Sequence, residues 1–344
     1  MRQLGAAGHA ALTRMATDVA FCTIFTRSHQ AAVTCLARSL TATHPEAPLF
    51  ALLTDRPGAP VDVPCEVLPL TAVGLPRFHE LLFGCTPLEL CCASKPYVIA
   101  HLLERGFRRV IFLDSDILVH ARLDVALAAL DRSAVLLTPH VLEPLPRDGR
   151  QPDEGRLLVS GAYHAGFVAV RAGAGGFVSW WAERVAEACE VDPERGRYLD
   201  QKYLDVAAAT FDGVAALRDP GYNVAYWNLH ERRLARGPDG WSANGRPLVC
   251  FHFSGFDPAH PAVVSRHQDR YTMDGLGEPA RLFADYRARL EAAGHAAHAR
   301  EPYGFGAFDD GAPVPDVVRR CFRRAGPAWR APHSPARTRS RSRC

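Results

Sequence analysis

Two apolar runs, Val19 to Phe25 and Leu49 to Leu53, flank a segment in which Val33, Leu36, Ala37 and Leu40 recur at helical spacing. Strand, crossover helix, strand is the pattern of a parallel sheet, because parallel neighbours need a long return that antiparallel ones do not. The alternation continues. Thr86-Pro87-Leu88-Glu89 forms a capping box, with Thr86 as N-cap, Pro87 at the first helical position and Glu89 at the third. That helix is expected to bend near Pro96 and to run to about Glu104. Val110 to Leu113 then reads as a short buried strand that leads straight into Asp114-Ser115-Asp116. The fold class is therefore α/β, a mixed, mostly parallel sheet flanked by helices.

The second half differs in character. Ala162 to Val170 reads as a strand, and Phe177, Trp180, Trp181, Val185 and Ala188 mark the apolar side of the helix after it. A second helix is expected from Tyr198, carrying Leu204, Ala207 and Phe211 inward, and Pro247 to Phe253 reads as a late strand. Residues 278–293 suit a surface helix. No repeat and no linker divides the first 300 residues of this 344-residue chain, so one catalytic domain is expected over 17–311, after an unstructured 1–16.

Composition narrows the setting. No stretch approaches the ~20 apolar residues of a membrane-spanning helix, and the first sixteen residues lack the apolar core of a secretory signal. Ten cysteines occur without a C-x-x-C pair, which suits reduced thiols in a cytoplasmic protein. The net charge of +3 comes from the end of the chain, where RRCFRRAGPAWRAPHSPARTRSRSRC has no acidic residue. Residues 312–344 are expected to form an Arg/Pro/Ser-rich tail without a fold. An inert terminus is a better expectation for it than contact with an anionic membrane. The rest is mildly acidic and carries no nucleic-acid footprint. Lys95 and Lys202 are the only lysines, so each marks a place where a compact ammonium matters.

Three places carry chemistry. Asp114 and Asp116 follow a buried strand, where ligands bind in open α/β sheets, and two carboxylates there can share a divalent cation that bridges a diphosphate. A solvated helix-capping turn is the plain alternative. Asp200, Leu204, Ala207 and Phe211 share one helical face, which sets a carboxylate at the end of a core-facing stripe, with Gln201 beside it. Asp200 capping its own helix is the alternative there. His252 closes the apolar run Leu248-Val249-Cys250-Phe251, where a satisfied core histidine is the plain alternative to a ligand, and Gly255 follows three residues later. Gly255 permits close approach of backbone to a phosphate, and a neutral imidazole completes an Asp-Asp-His set suited to Mn²⁺. The aromatic and amide segment Tyr222-Asn223-Val224-Ala225-Tyr226-Trp227-Asn228 suits sugar faces and edges as well as it suits a packed loop.

FLDSDILV, AYHAGFVAV, YLDQKYLD, GYNVAYWN and HFSG, in this order over roughly residues 18–270, resemble glycosyltransferase family 8. That family includes glycogenin and the bacterial lipopolysaccharide galactosyl- and glucosyltransferases. The resemblance implies a GT-A fold with a Rossmann-like nucleotide half. It also implies a UDP-sugar donor, Mn²⁺ (or Mg²⁺) and transfer of a hexose with retention. It places metal ligation on Asp114, Asp116 and His252, and the reacting sugar carbon beside Asp200 and Gln201. Phe25 and Thr26 would meet the base, Lys95 the sugar or phosphates, and Gly255 the diphosphate. Ser115, His164 and Asn223 complete the expected donor-contacting set. The acceptor would be a saccharide, a lipid-linked sugar or a protein.

Two departures stand out. His164-Ala165-Gly166 stands where the family has Asn-Ala-Gly, and Pro258 stands where it has a lysine for the diphosphate. Arg266, His267 or Arg270 are the candidate replacements for that cation. A metal-dependent phosphohydrolase is a weaker reading, since such a D-x-D motif usually lies on the first strand. A non-catalytic nucleotide- or sugar-binding module is the other alternative.

Overall fold

A computed structural model of the chain describes residues 17–58 and 60–325. Its first strands are β1 (Val19–Phe25), β2 (Leu49–Leu53), β3 (Glu66–Pro69), β4 (Arg109–Leu113), β5 (Ile117–Val119), β6 (Val135–Pro139) and β7 (Tyr163–Arg171). The helices up to residue 210 are α1 (Gln30–Thr43), α2 (Phe78–Gly84), α3 (Pro87–Glu104), α4 (Asp124–Ala129), α5 (Glu154–Ser160), α6 (Gly175–Ala188) and α7 (Lys202–Thr210). The main sheet has seven strands in the order Val214–Ala216, β6, β7, β4, β1, β2, β3. β1 is parallel to β2 and β4, while β7 is antiparallel to both of its neighbours. This is the mixed, mostly parallel α/β sheet expected from the sequence.

Both faces of the central strands are covered, which is why they read as unbroken apolar runs. Cys22, Phe112 and Val168 join α3 and α6 in one core, and their neighbours Phe21, Ile111 and Phe167 join α1 in the other. The path of the chain then sets the location of the site. From β1 the chain moves outward through β2 and β3, and α3 returns it to β4 on the opposite side of β1. A crevice opens at such a reversal, beyond the carboxyl ends of the strands. Asp114 follows β4 directly, and its N–H donates to the Gly166 carbonyl of β7 at 2.9 Å. Because β7 runs the other way, its first residues reach the edge that holds Asp114. A small second sheet pairs β5 with Cys250–His252 and puts His252 opposite Ile117.

The capping box of α3 is formed: Glu89 N–H donates to Thr86 Oγ1 at 3.3 Å, and Thr86 N–H donates to Glu89 Oε2 at 2.8 Å. Two expectations need correction. The helix expected from Tyr198 starts at Lys202, because Tyr198 belongs to a short strand and Leu199 has φ +52°, outside helical values. Asp200 and Gln201 therefore stand in the turn before α7, though Leu204 and Ala207 are buried as expected. The tail expected to lack a fold from 312 includes a docked helix, Asp316–Ala325. The Arg319 guanidinium donates to the carbonyls of Phe83 (2.7 Å), Cys85 (2.9 Å) and Phe305 (2.7 Å), and Arg323 pairs with Glu89 at 2.7 Å. Composition could not show this, because the partners are backbone carbonyls at the end of α2 and at Phe305 and the carboxylate of Glu89, all outside the tail itself. The rest of the tail, 326–344, and the N-terminal 1–16 lie outside the described residues.

Candidate active site

α3 carries Lys95 to the centre of the site. Its ammonium lies 3.2 Å from Asp114 Oδ1 and 3.2 Å from Asp200 Oδ2, and donates to the Ala165 carbonyl at 3.1 Å. Lys95 and Asp200 are both buried. Burial alone would lower the Lys95 pKa, but the two carboxylates outweigh it and hold it well above the ordinary lysine value. For Asp200 burial wins and raises the carboxyl pKa, against the pull of Lys95. Lys202 is unlike Lys95: it bonds the Leu158 carbonyl and Asp205 Oδ2 at the surface, at 2.8 and 2.9 Å.

Asp116 and His252 make a second pair, with Asp116 Oδ1 2.8 Å from His252 Nε2. Burial would disfavour both charges, yet each sustains the other: the imidazole is raised above its ordinary pKa and the carboxyl is lowered below its own. His252 Nδ1 is buried without a hydrogen-bond partner. Asp114, His164 and His252 each offer one ligand atom, and these atoms lie within 4.8 Å of one another. Asp116, also assigned to a metal by resemblance, is outside this trio and reaches it through its bond to His252.

Two cavities flank this point. One, of about 190 Å³, is lined by Lys95, Asp114, Asp200 and Gln201 on one side and by Tyr198, Tyr226 and Trp227 on the other. The second, of about 570 Å³, is lined by Asp116, His29, Gly255, Pro258 and Arg266. Gln201 has its amide engaged at both ends, accepting from Ala165 N–H (3.2 Å) and donating to the Ser160 carbonyl (2.8 Å). It holds the start of β7 in place. Thr26, at the end of β1, bonds Ser28 Oγ and His29 Nδ1, each at 3.0 Å, and both of these partners line the larger cavity. Ser115 sits in the turn closed by Ile117 N–H to the Asp114 carbonyl at 3.2 Å.

Gly255 has φ +71°, and a Cβ there would lie 2.6 Å from Ser265 Oγ, so only glycine suits the position. Of the three candidate cations, Arg270 is committed elsewhere, to Asp148 Oδ1 (2.9 Å) and the Arg150 and Pro152 carbonyls. Arg266 lines the larger cavity beside Gly255 and Pro258, whereas His267 lines the smaller one.

Not every expected residue faces a cavity. The Phe25 ring is buried among Val33, Ala51 and Leu53. Asn223 is fully buried at φ +51°, a value asparagine tolerates, and lines neither cavity. Within its motif Tyr222 accepts Ala126 N–H at 3.2 Å and Asn228 ties the loop together, leaving Tyr226 and the buried Trp227 as the rings that line the smaller cavity. His140, pushed down to about 4 by burial, lines the smaller cavity and carries no local motif that could have marked it.

No protein-family model matches the chain. It is 27% identical over 248 residues to the uncharacterized protein YfnF of Bacillus subtilis (strain 168), covering 69% of this chain and 81% of that protein. To the uncharacterized protein YfnD of the same organism it is 28% identical over 178 residues, 49% of this chain and 54% of that one. Among solved structures it resembles the galactosyltransferase LgtC in complex with donor and acceptor sugar analogs. That match has TM-score 0.46 and 14% identity over 80% of this chain and 99% of that one. It also resembles the glycosyltransferase GlyE of Streptococcus pneumoniae TIGR4, with TM-score 0.43 and 12% identity over 83% of this chain and 66% of that one. Overlap at this level says nothing of activity. No helix among the described residues is long and apolar enough to cross a membrane.

Proposed function

We propose that the chain is a metal-dependent glycosyltransferase that moves a hexose from a nucleotide sugar, with UDP as the nucleotide, to an acceptor hydroxyl with retention. The observation that carries this reading is the convergence of Asp114 and His252, with Asp116 bonded to His252, at the strand-order reversal between two cavities of different chemistry. The donor set is hard carboxylate oxygen plus imidazole, and the unpartnered buried Nδ1 of His252 leaves ligand capacity unused within the protein. Those features fit a divalent cation held by Asp114, Asp116 and His252. Such a cation would neutralise charge on a leaving diphosphate.

The chain's own residues have separable roles. Gly255 lets backbone approach the diphosphate, and Arg266 supplies the positive charge that Pro258 cannot. Ser28 and His29, oriented by Thr26, face the nucleotide side. Tyr198, Tyr226 and Trp227 offer ring faces to the apolar faces of sugars. Asp200 is a buried carboxylate beside the smaller cavity, suited to stabilise positive charge that develops on a sugar ring during transfer. Lys95 bridges Asp114 and Asp200 and holds the two carboxylates in place. Gln201 positions residues 164–166. Among the described residues, no second unassigned carboxylate faces the smaller cavity to act as a base for inversion, which favours retention.

The test is to incubate the full chain with a panel of nucleotide sugars, with and without Mn²⁺, and to follow nucleoside diphosphate release and product anomer by NMR. Metal-dependent release with a retained anomer supports the reading. Saturable nucleotide-sugar binding with no release under any condition would instead mark a binding module.

A further inference from the structure

The family resemblance assigns no metal-binding role to the position that His164 occupies, and the surroundings of that ring are built for one. β7 begins at Tyr163 and runs antiparallel to β4, so Gly166 lies beside Asp114 at the end of β4 and His164 stands two residues beyond, opposite Thr138 of β6. His164 Nδ1 accepts the Gly166 N–H at 3.0 Å, a bond that a metal ion at this nitrogen would replace. A Cβ at position 166 would lie 2.7 Å from that nitrogen and 2.6 Å from Asp114 Oδ2. The missing side chain of Gly166 is therefore what lets the imidazole and the Asp114 carboxylate converge. The ring is also held in place. It stacks on Trp227, with centroids 4.6 Å apart and planes at 28°, and meets the His252 ring edge-on at 4.9 Å.

We infer that His164 is a ligand of the metal proposed above, so that the cation is held by Asp114, Asp116, His164 and His252 and the site prefers an imidazole-seeking ion over Mg²⁺. This rests on the metal-site reading of the preceding section and adds a ligand and a metal class to it. One imidazole among carboxylates suits Mn²⁺ and Mg²⁺, whereas a second imidazole moves the donor set toward Co²⁺, Zn²⁺ or Fe²⁺. Divalent affinities rise toward the later ions at any such site. The informative quantity is therefore how that preference changes when one ring is removed.

The experiment is calorimetric titration of the full chain with CoCl₂, ZnCl₂, MnCl₂ and MgCl₂ in the absence of nucleotide, with the visible absorption of the Co²⁺ complex recorded in parallel. Wild type should bind Co²⁺ and Zn²⁺ saturably. His164→Asn should weaken Co²⁺ by at least about tenfold, weaken Mg²⁺ little and shift the Co²⁺ absorption bands. His140→Asn, which alters a neighbouring ring outside the ligand set, should leave the spectrum unchanged. His164→Gln serves as a second variant, and circular dichroism checks that each one folds. If His252→Ala and Asp116→Asn abolish binding while both His164 variants keep wild-type affinity and spectrum, the His164 inference is overturned and the underlying site stands. If wild type binds no divalent cation, both fall.

Discussion

The two cavities that meet at Asp114 and Asp116 are built on opposite principles. In the smaller one nearly every charge already has a partner: Lys95 answers Asp114 and Asp200, and Gln201 is bonded at both ends. In the larger one Arg266, Gly255 and one edge of the Asp116–His252 pair face open space. A buried charge network costs desolvation energy and returns it as a fixed field, whereas an exposed arginine costs little and waits for an anion. The smaller cavity is thus suited to holding a reacting group in a fixed environment. The larger one is suited to capturing a charged carrier that enters and leaves.

If the contrast holds, the largest effect comes from breaking the network. Lys95→Met leaves Asp114 and Asp200 together without their ammonium and should destabilise the fold by about 3–5 kcal/mol. Lys202→Ala breaks only a surface pair and should cost less than ~1 kcal/mol. Urea unfolding measures both, and equal losses would mean that the two lysines do not differ in kind.

That difference is only partly legible in the sequence. The borders of β1 and β2, and the place of Asp114 after β4, follow from apolar runs buried on both faces, so they can be read directly. His252 can be read too, because it ends such a run. The scarcity of lysine marks Lys95, but its link to Asp200 crosses more than a hundred residues, and no local pattern carries that. The place of His164 depends on β7 running antiparallel, and an apolar run looks the same in either direction. Asp200 stands out in the sequence for an imperfect reason, since the helical stripe that points to it begins only at Lys202. Arg319 and Arg323 read as part of a solvated tail because their partners are backbone carbonyls and a capping glutamate that lie elsewhere in the chain.

The next effect concerns acid. His140 has its pKa pushed down to about 4 by burial, opposed by its bond to the Ala162 carbonyl. As pH falls below the ordinary histidine value, the unfolded chain takes up a proton that the folded chain refuses, so stability drops until pH passes the folded value. This one ring should contribute a loss of up to about 3 kcal/mol between neutrality and pH 4. His140→Gln should flatten that part of the stability profile, and an unchanged slope would show that the ring titrates normally.

Asp200→Asn keeps the shape of the network and leaves Lys95 paired with Asp114. Turnover should fall by about 10²-fold or more while nucleotide affinity changes little. Full activity would remove Asp200 from the chemistry. On the other side, Arg266→Ala should weaken nucleoside diphosphate binding by about tenfold, because it removes a charge-assisted hydrogen bond to a phosphate oxygen. Its unfolding should not change. An effect of that size on stability would place Arg266 in the framework and erase the contrast.

The most direct measurement is the affinity of UDP for the full chain by calorimetry, with Mn²⁺ or Co²⁺ and then with chelator, for wild type and Asp116→Asn. Binding that requires the cation in wild type and is lost in Asp116→Asn, with the melting temperature of the free protein preserved, is the predicted result. UDP affinity that ignores both the cation and the substitution would contradict a metal-held diphosphate between the two cavities.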